Sequence, residues 1–548
     1  MTTSLEGAPS SAREQHGVGW WTGDPRDIRE DGPSVLAAIA AVRSPAFIVQ
    51  LPNGAHGVTL DGRIQPDRGA GLRALGLVPP VYPEWLGGRR FQDAHRTRFA
   101  YVTGEMAHAI AGPRMVIAAA RAGLLGFLGT AGVPVERVEQ MIGEIRSALD
   151  PLGLSWGVNL LSTPADVAHE RALTELYVRL GVTRVSASAF MEMSPNVVRY
   201  ACRGLTRDAA GHIVRRHHVF AKISRVEVAR PFMHPPSAAM LDALVRDGAL
   251  TADEAALGAC VPIAEDITVE ADSAGHTDHR PLTVVLPRIA ALRDELADAG
   301  RCEGARRIRV GAAGGLGTPA AVAAAFALGA DYVLTGSINQ VAIESGLSDA
   351  GRAMLQDADT TDVAMAPSAD MFEMGVNVQV LKRGTLFASR ARLLFELYHA
   401  HDGLDDLPSA RRDQIERDIF RMPLADVWTQ TAAYLATHRP GALERAARDP
   451  KHRMALVFRW YLGLSARWPI QGDESRRSDY QLWCGPALGA FNAWTAGSFL
   501  AEPARRSVDQ IAWNLLEGAA AIARAQQFRT MGVAVPAAAF TFAPRPLA

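Results

Sequence analysis

Cysteine is scarce. Four occur in 548 residues, Cys202, Cys260, Cys302 and Cys484, and none has C-x-x-C spacing. That argues against a disulfide framework and a cysteine-based zinc site, and leaves the four as buried small hydrophobes of a reducing compartment. One-signed charge is missing as well, because 57 Lys and Arg stand against 58 Asp and Glu. No global field therefore draws the chain to nucleic acid or to a membrane surface. No run reaches the roughly eighteen apolar residues of a spanning helix, and the opening residues MTTSLEGAPSSAREQ have no apolar core behind a basic start. The expectation is a soluble, unprocessed, cytoplasmic protein with no metal, no nucleic acid and no membrane partner. Repeats and low-complexity tracts are absent too.

A length of 548 residues allows two to four units at about 150 residues each, or one large barrel with additions. The first thirty residues, polar and rich in Gly, Pro and Ser, read as a loose arm. AFIVQLP and HGVTLDG follow, joined by Asn53-Gly54, a strong hairpin signal. From about Arg98 short apolar strands alternate with helix-length segments, the rhythm of a parallel α/β fold. The strands begin at Phe99, Leu124, Ser155, Arg184, His218, Ile267, Arg307 and Tyr332. Eight of them predict a (β/α)8 TIM barrel. The long link Glu227–Asp266 predicts two helices inserted over the barrel mouth. After Gln340 the strand rhythm stops and helical patterns take over. The predicted division is an arm and small β element over 1–95, a barrel over 96–345 with an insertion at about 227–266, and a mainly helical subdomain over 346–548.

Ile308–Gln340 organises the rest. It predicts a buried strand, a Gly-rich turn at Gly311–Gly317, an Ala-rich helix, a second strand and a small turn at Gly336-Ser337. Glycines let backbone N–H groups approach an anion, and a helix N-terminus adds roughly half a positive charge. Barrel phosphate sites commonly lie after strands seven and eight, where this stretch falls. The P-loop Lys-Ser/Thr and the dinucleotide fingerprint are both missing. An ordinary glycine-punctuated βαβ unit would have the same pattern.

Catalytic groups in such barrels come from strand C-termini. Strand one ends in Thr103-Gly104-Glu105-Met106, strand three in Asn159, strand five in Lys222, and strand six in Asp272-Ser273-Ala274-Gly275-His276-Thr277-Asp278. His276 could donate a proton near neutral pH, or simply bond to Asp272 or Asp278. Lys222 could face a negatively charged ring or be a structural charge. Asn159 offers amide donors to a heterocycle or ends its strand. Glu105 and His108 could form an acid/base pair or a surface contact. The aromatic stretches RWYLGLSARW and YQLWCGPALGAFNAW suit helix packing or an apolar groove. The basic clusters Arg411-Arg412, Lys451-His452-Arg453 and Arg476-Arg477 suit solvated helix faces or an acidic partner.

Several stretches resemble one family: GAAGGLGTP at Gly311–Pro319, FALGADYVLTGSINQ at Phe326–Gln340, VEADSAGHTD at Val269–Asp278 and AKISRVEV at Ala221–Val228. DMFE at Asp370–Glu373, QVLKRGTLF at Gln379–Phe387 and RWYLGLSARW at Arg459–Trp468 continue the likeness. Together they resemble the PfaD-type enoyl reductases, which act in trans on polyketide and polyunsaturated fatty acid synthases. The barrel also looks like the wider flavin family that contains nitronate monooxygenases. The resemblance implies an FMN-binding barrel that takes hydride from NADPH or NADH. It would pass that hydride to the β-carbon of an enoyl thioester on an acyl carrier protein. Homodimerisation is left open.

By the same likeness Gly314, Gly315, Gly336 and Ser337 hold the FMN phosphate, Asn159 and Lys222 contact the ring, and His276 faces flavin and substrate. Gly104, Met106, Asp272, Gly275 and Gly317 join the cofactor-binding set, and His276 with Lys222 form the catalytic pair. Ala274 where the family has Gly, and Glu105 and His108 where it has smaller residues, are departures. Alternatives are a nitronate-type flavin oxidase, a dehydrogenase or isomerase acting on the same thioesters, and a flavin-binding scaffold without catalysis.

Overall fold

The computed structural model describes residues 17–69, 71–163, 166–300 and 308–548. By its internal contacts the chain divides into two units: 1–83 with 516–542, and 84–515 with 543–548.

The first unit is built on a five-stranded antiparallel sheet of β1 (Gly19–Thr22), β2 (Ala46–Gln50), β3 (His56–Thr59), β4 (Arg63–Gln65) and β5 (Leu72–Val78). Its order is β3-β2-β5-β1-β4. The Asn53-Gly54 signal holds, for β2 and β3 pair across it. The predicted loose arm is corrected from residue 19 onward, because Trp21 is buried with Phe47, Val49 and Ala74 and draws β1 into the sheet. Residues 1–16 of that arm lie outside the described residues. The end of the chain completes this unit. Arg524, fully buried on the C-terminal helix Val508–Thr530, donates to the carbonyls of Ala38 and Ser44, and Glu517 pairs with Arg43 at 2.8 Å.

The second unit contains the barrel. Its strands are β6 (Tyr101–Thr103), β7 (Leu125–Leu128), β8 (Trp156–Leu161) and β9 (Arg184–Ser188). A short hairpin of β10 (Thr206–Arg207) and β11 (Ile213–Val214) intervenes. The barrel then continues with β12 (His218–Ile223), β13 (Asp266–Glu270), β14 (Arg309–Ala313) and β15 (Val333–Thr335). Closure runs in chain order, all parallel, with β15 beside β6. The eight strands expected from the sequence are these eight.

Two further expectations are corrected. The link after β12 forms three helices, Val226–Phe232, Ala238–Arg246 and Ala252–Gly258. The latter two pack on helix Pro195–Cys202 in the outer ring, not over the mouth. Strands also reappear after Gln340, as the antiparallel hairpin of β16 (Val363–Pro367) and β17 (Asn377–Leu381). The remainder is helical, as expected.

Helix Arg89–His95 closes the barrel base. Phe91 stacks on Tyr332 at 4.5 Å, within a core that includes Phe127 and Phe220. At the strand starts Arg309 forms a bidentate pair with buried Asp266 (2.6 and 2.7 Å), and His95 Nε2 lies 3.0 Å from the same carboxylate. Arg184 donates to His95 Nδ1 at 3.1 Å, which makes Nε2 the protonated nitrogen of a neutral ring.

Burial lowers the pKa of His95 to about 4 despite Asp266, and burial likewise lowers that of His217 to about 4. Unfolded, each ring takes a proton near its ordinary value of 6.5. Between those values the unfolded chain binds more protons, so stability falls as pH drops through that window. Each ring contributes up to roughly 3 kcal/mol to that loss. Urea titrations at stepped pH will show the decline from about 6.5 to 4, and His95→Gln will flatten part of the slope.

Candidate active site

At the end of β6, Gly104 donates to Thr335 O (2.9 Å), and a Cβ at that position would lie 2.6 Å from Leu334 Cδ2. A larger residue there would have to displace the Leu334 side chain of β15. The next residue, Glu105, turns into the mouth with its side chain 6% exposed. Its Oε1 accepts from Ser186 Oγ (2.9 Å), while its Oε2 is buried with no partner among the described residues. Glu105 and His108 do not form the pair the sequence allowed. His108 stacks on Trp483 instead (5.8 Å, 22°), and burial and Arg467 lower its pKa against a hydrogen bond that the ring donates to the Gly132 backbone. His108 and Ala109 both have left-handed backbone, at φ 54° and 58°. That strained backbone is sustained by hydrogen bonds to the β7 turn, from His108 N–H to Ala131 O (2.8 Å) and from Ala109 N–H to Gly129 O (3.2 Å).

Lys222 emerges from β12 two positions after Phe220, on the same side of the strand. Its Nζ sits 3.2 Å from Glu270 and 3.5 Å from Glu105. Burial alone would lower its pKa, but Glu270 and Glu105 outweigh that and raise it, so the ammonium stays charged. Asn159 is 3% exposed, and its amide donates to Ser186 O (2.9 Å) and Ser188 Oγ (2.8 Å). Both donors are committed within the chain, which leaves Oδ1 facing any ligand.

The His276 turn is pinned from outside the barrel. Gly275, at φ 78°, exchanges backbone hydrogen bonds with Gln379 of β17 (3.0 and 2.7 Å). The Gln379 side chain donates to Ser273 O (2.7 Å) and Asp272 Oδ1 (3.0 Å). Asp272 also holds His279 (3.0 Å), and Asp278 is taken by Ser224 and Arg225. His276 bonds to neither Asp272 nor Asp278. Its Nε2 lies 3.2 Å from Ser368 Oγ, and Ser368 donates to Asp370. Ser368 Oγ therefore accepts the Nε2 proton and leaves Nδ1 open on a ring 47% exposed.

The two glycine turns lie after β14 and β15, neighbours in the barrel. A Cβ on Gly315 (φ 73°) or on Gly336 would meet nothing within 4 Å, so both border open space. The amides of Gly314, Gly315, Gly336 and Ser337 find no acceptor among the described residues. Helix Pro319–Ala327 and the 3-10 helix Ser337–Val341 start directly behind them. Uncommitted donors, helix N-termini and room together fit an anion such as a phosphate. Gly317 has another task, since a Cβ there would lie 2.0 Å from Ala487 O.

One mouth thus collects Glu105, Asn159, Lys222, the Asp272–His276 turn and both glycine turns. Missing from the sequence-based set were Glu270, Ser186, Ser368, Asp370, Gln379, Trp483 and Gly129. Strand alternation places Glu270 on the same side of β13 as Asp266 and Thr268, a signal that could have found it. The basic clusters are engaged locally. Arg476 is buried, donating to Ile419 O and Phe420 O, Arg412 donates to Leu404 O, and Arg453 covers Trp428 at 4.6 Å. Trp460, Tyr461 and Trp468 pack on one another, so RWYLGLSARW is helix packing. Cys202 and Cys484 are buried, Cys260 is half-buried, and Cys302 lies outside the described residues.

The nitronate monooxygenase family model matches residues 89–391, more than half of the chain, and the inserted helical domain of [acyl-carrier-protein] S-malonyltransferase matches residues 401–480. A polyunsaturated fatty acid synthase polypeptide of Thraustochytrium sp. is 43% identical over 426 residues, which are 77% of this chain and 28% of that protein. Polyketide biosynthesis protein PksE of Bacillus subtilis is 39% identical over 90% of this chain and 64% of its own length. The chain thus spans less than two thirds of either relative. The crystal structure of the enoyl reductase domain of MlnA from the macrolactin biosynthesis cluster of Bacillus amyloliquefaciens is 34% identical. It superposes with a TM-score of 0.77, covering 82% of this chain and 99% of that one. Among the described residues no helix is long and apolar enough to cross a membrane.

Gly129 tests the close approach of the turns. A Cβ there would lie 1.7 Å from Met106 O, whereas one on Gly143, exposed in helix Val135–Leu149, would meet nothing. Gly129→Ala should destabilise by about 1–3 kcal/mol, and Gly143→Ala should stabilise by about 0.5–1 kcal/mol. Urea denaturation midpoints of the two variants will move in opposite directions.

Proposed function

This chain belongs to the nitronate monooxygenase family of TIM barrels and is related to the enoyl reductase domains of polyketide and polyunsaturated fatty acid synthases. From that premise we propose that it is an FMN-dependent, trans-acting enoyl reductase. Its substrates are enoyl thioesters carried on the phosphopantetheine arm of an acyl carrier protein. The observation that carries this is the open glycine cradle after β14 and β15 on the same mouth as His276 and a half-buried, charged Lys222.

Gly314, Gly315, Gly336 and Ser337 would hold the phosphate through backbone amides. Bound there, FMN supplies hydride transfer from NAD(P)H to the substrate double bond. Lys222 and the Asn159 Oδ1 would line the ring, and Gly104, Met106 and Gly275 shape the turns around it. The saturated product needs a proton at its α-carbon, and the same thioester gains negative charge on oxygen. His276 meets either need when protonated, because Ser368 fixes Nε2 and the Nδ1 proton remains to donate. A ring half exposed at the mouth is reprotonated from solvent. Ser368 and Asp370 orient it, and Gln379 holds the turn that carries it.

The test is anaerobic. Reduction of the bound flavin by NADPH, followed by a 2-enoyl thioester, should give prompt reoxidation. Reaction with oxygen alone, and with no enoyl thioester, would turn the assignment to a nitronate-type oxidase. His276→Ala should slow reoxidation by substrate by about 10²- to 10⁴-fold with FMN still bound. Ser368→Ala should give a smaller loss in the same step. Loss of FMN from His276→Ala would make the residue structural.

A further inference from the structure

Glu105 is a buried acidic group that this mechanism leaves unused. Its carboxylate lies at the top of the barrel with its side chain 94% buried. A charged oxygen removed from water needs a donor, and an orphan buried acceptor costs on the order of 1–3 kcal/mol or more. Oε1 has Ser186 and Lys222, but Oε2 has neither. The atom lacks a donor that no described residue supplies.

The charges around it sharpen the point. Lys222 is the cation between two carboxylates and stands nearer Glu270 (3.2 Å) than Glu105 (3.5 Å). A lysine alone at this place would favour negative charge on a reduced ring. Here its charge is already answered, and one plus against two minus leaves the cluster with an excess of one negative charge. Glu270 has a further partner in Ser273 Oγ (3.1 Å) and is more exposed, at 23%. Solvent screens it more than Glu105, whose field acts in the drier interior.

We propose that Glu105 sets the redox poise of the bound flavin. Its buried charge, in excess over Lys222, would disfavour the electron-rich reduced ring and hold the midpoint potential low. A low potential makes the cofactor a stronger hydride donor to the enoyl double bond. The proposal rests on the FMN reading above, and its failure can be told apart from failure of that reading.

Anaerobic potentiometric titration against a reference dye, with no enoyl substrate present, reads the effect directly. A wild-type chain that is colourless and takes up no FMN defeats the FMN reading before any variant is made. With FMN bound, Glu105→Gln removes the charge at nearly constant shape. Its midpoint should move positive by at least tenfold in the two-electron equilibrium, about 30 mV. Glu270→Gln should move it less. Glu105→Asp, which keeps the charge but withdraws it by one methylene, should give a smaller positive shift and serves if the Gln variant does not fold. An unchanged or more negative midpoint in these Glu105 variants overturns the proposal. So does an equal shift from Glu270→Gln, which would assign the effect to summed charge. A Glu105→Gln chain that folds but loses FMN overturns it as well, making the residue a binding group.

Discussion

The site depends on two backbone hydrogen bonds, those exchanged by Gly275 and Gln379 (3.0 and 2.7 Å). A barrel strand ends in a turn with few ladder bonds of its own, so that turn would move unless something outside the barrel held it. Hairpin β16–β17 supplies the hold. Its backbone extends the turn by an antiparallel bridge, and the Gln379 amide adds Ser273 O and Asp272. The same hairpin leads into Ser368 and Asp370, which grip the His276 ring. Trp483, bridged to Val380 of β17, reaches over to His108. The chain after the barrel thus completes the mouth from above.

Inside the barrel, charged residues occur in two layers with aromatic packing between them. At the base, Asp266 answers Arg309 and a neutral His95, so the charges close on themselves and serve stability. At the mouth the balance is left unequal around Lys222, with one carboxylate oxygen unanswered. Native interiors rarely keep such an atom without use. The contrast separates the layer that holds the fold from the layer that meets a ligand.

Much of this was legible in the sequence. The eight strands, the glycine turns and the positions of Lys222, Asn159 and His276 follow from apolar rhythm and from the rule that strand ends carry chemistry. What was not legible depends on contacts between distant segments. Ser368 and Gln379 lie about ninety to a hundred residues from the turn they hold, in a hairpin whose strands carry no Asn-Gly or Asp-Gly at the join. Trp21 pulled a Gly-rich stretch into a sheet through partners up to fifty residues on, which local composition does not register. Arg476 looked like a surface charge because its partners are the carbonyls of Ile419 and Phe420. Gly129 gave no signal at all, since its need comes from Met106 across the mouth.

The arrangement of His276 also decides where control of protonation resides. Its ring is about half exposed, and Asp370 behind Ser368 is 60% exposed. Neither group is walled off, so a proton donated at the mouth is replaced from water without a buried relay. The barrel face opposite is drier, with the Lys222 side chain 17% and that of Glu105 6% exposed. In the proposed reaction, electron-rich chemistry would therefore face the barrel interior, while proton supply would face the hairpin. Changes in β6, β12 or β13 would act on the first, and changes in the segment from Ser368 to Gln379 on the second. In the proposed reaction the two halves would fall to different parts of the chain, joined at Gly275.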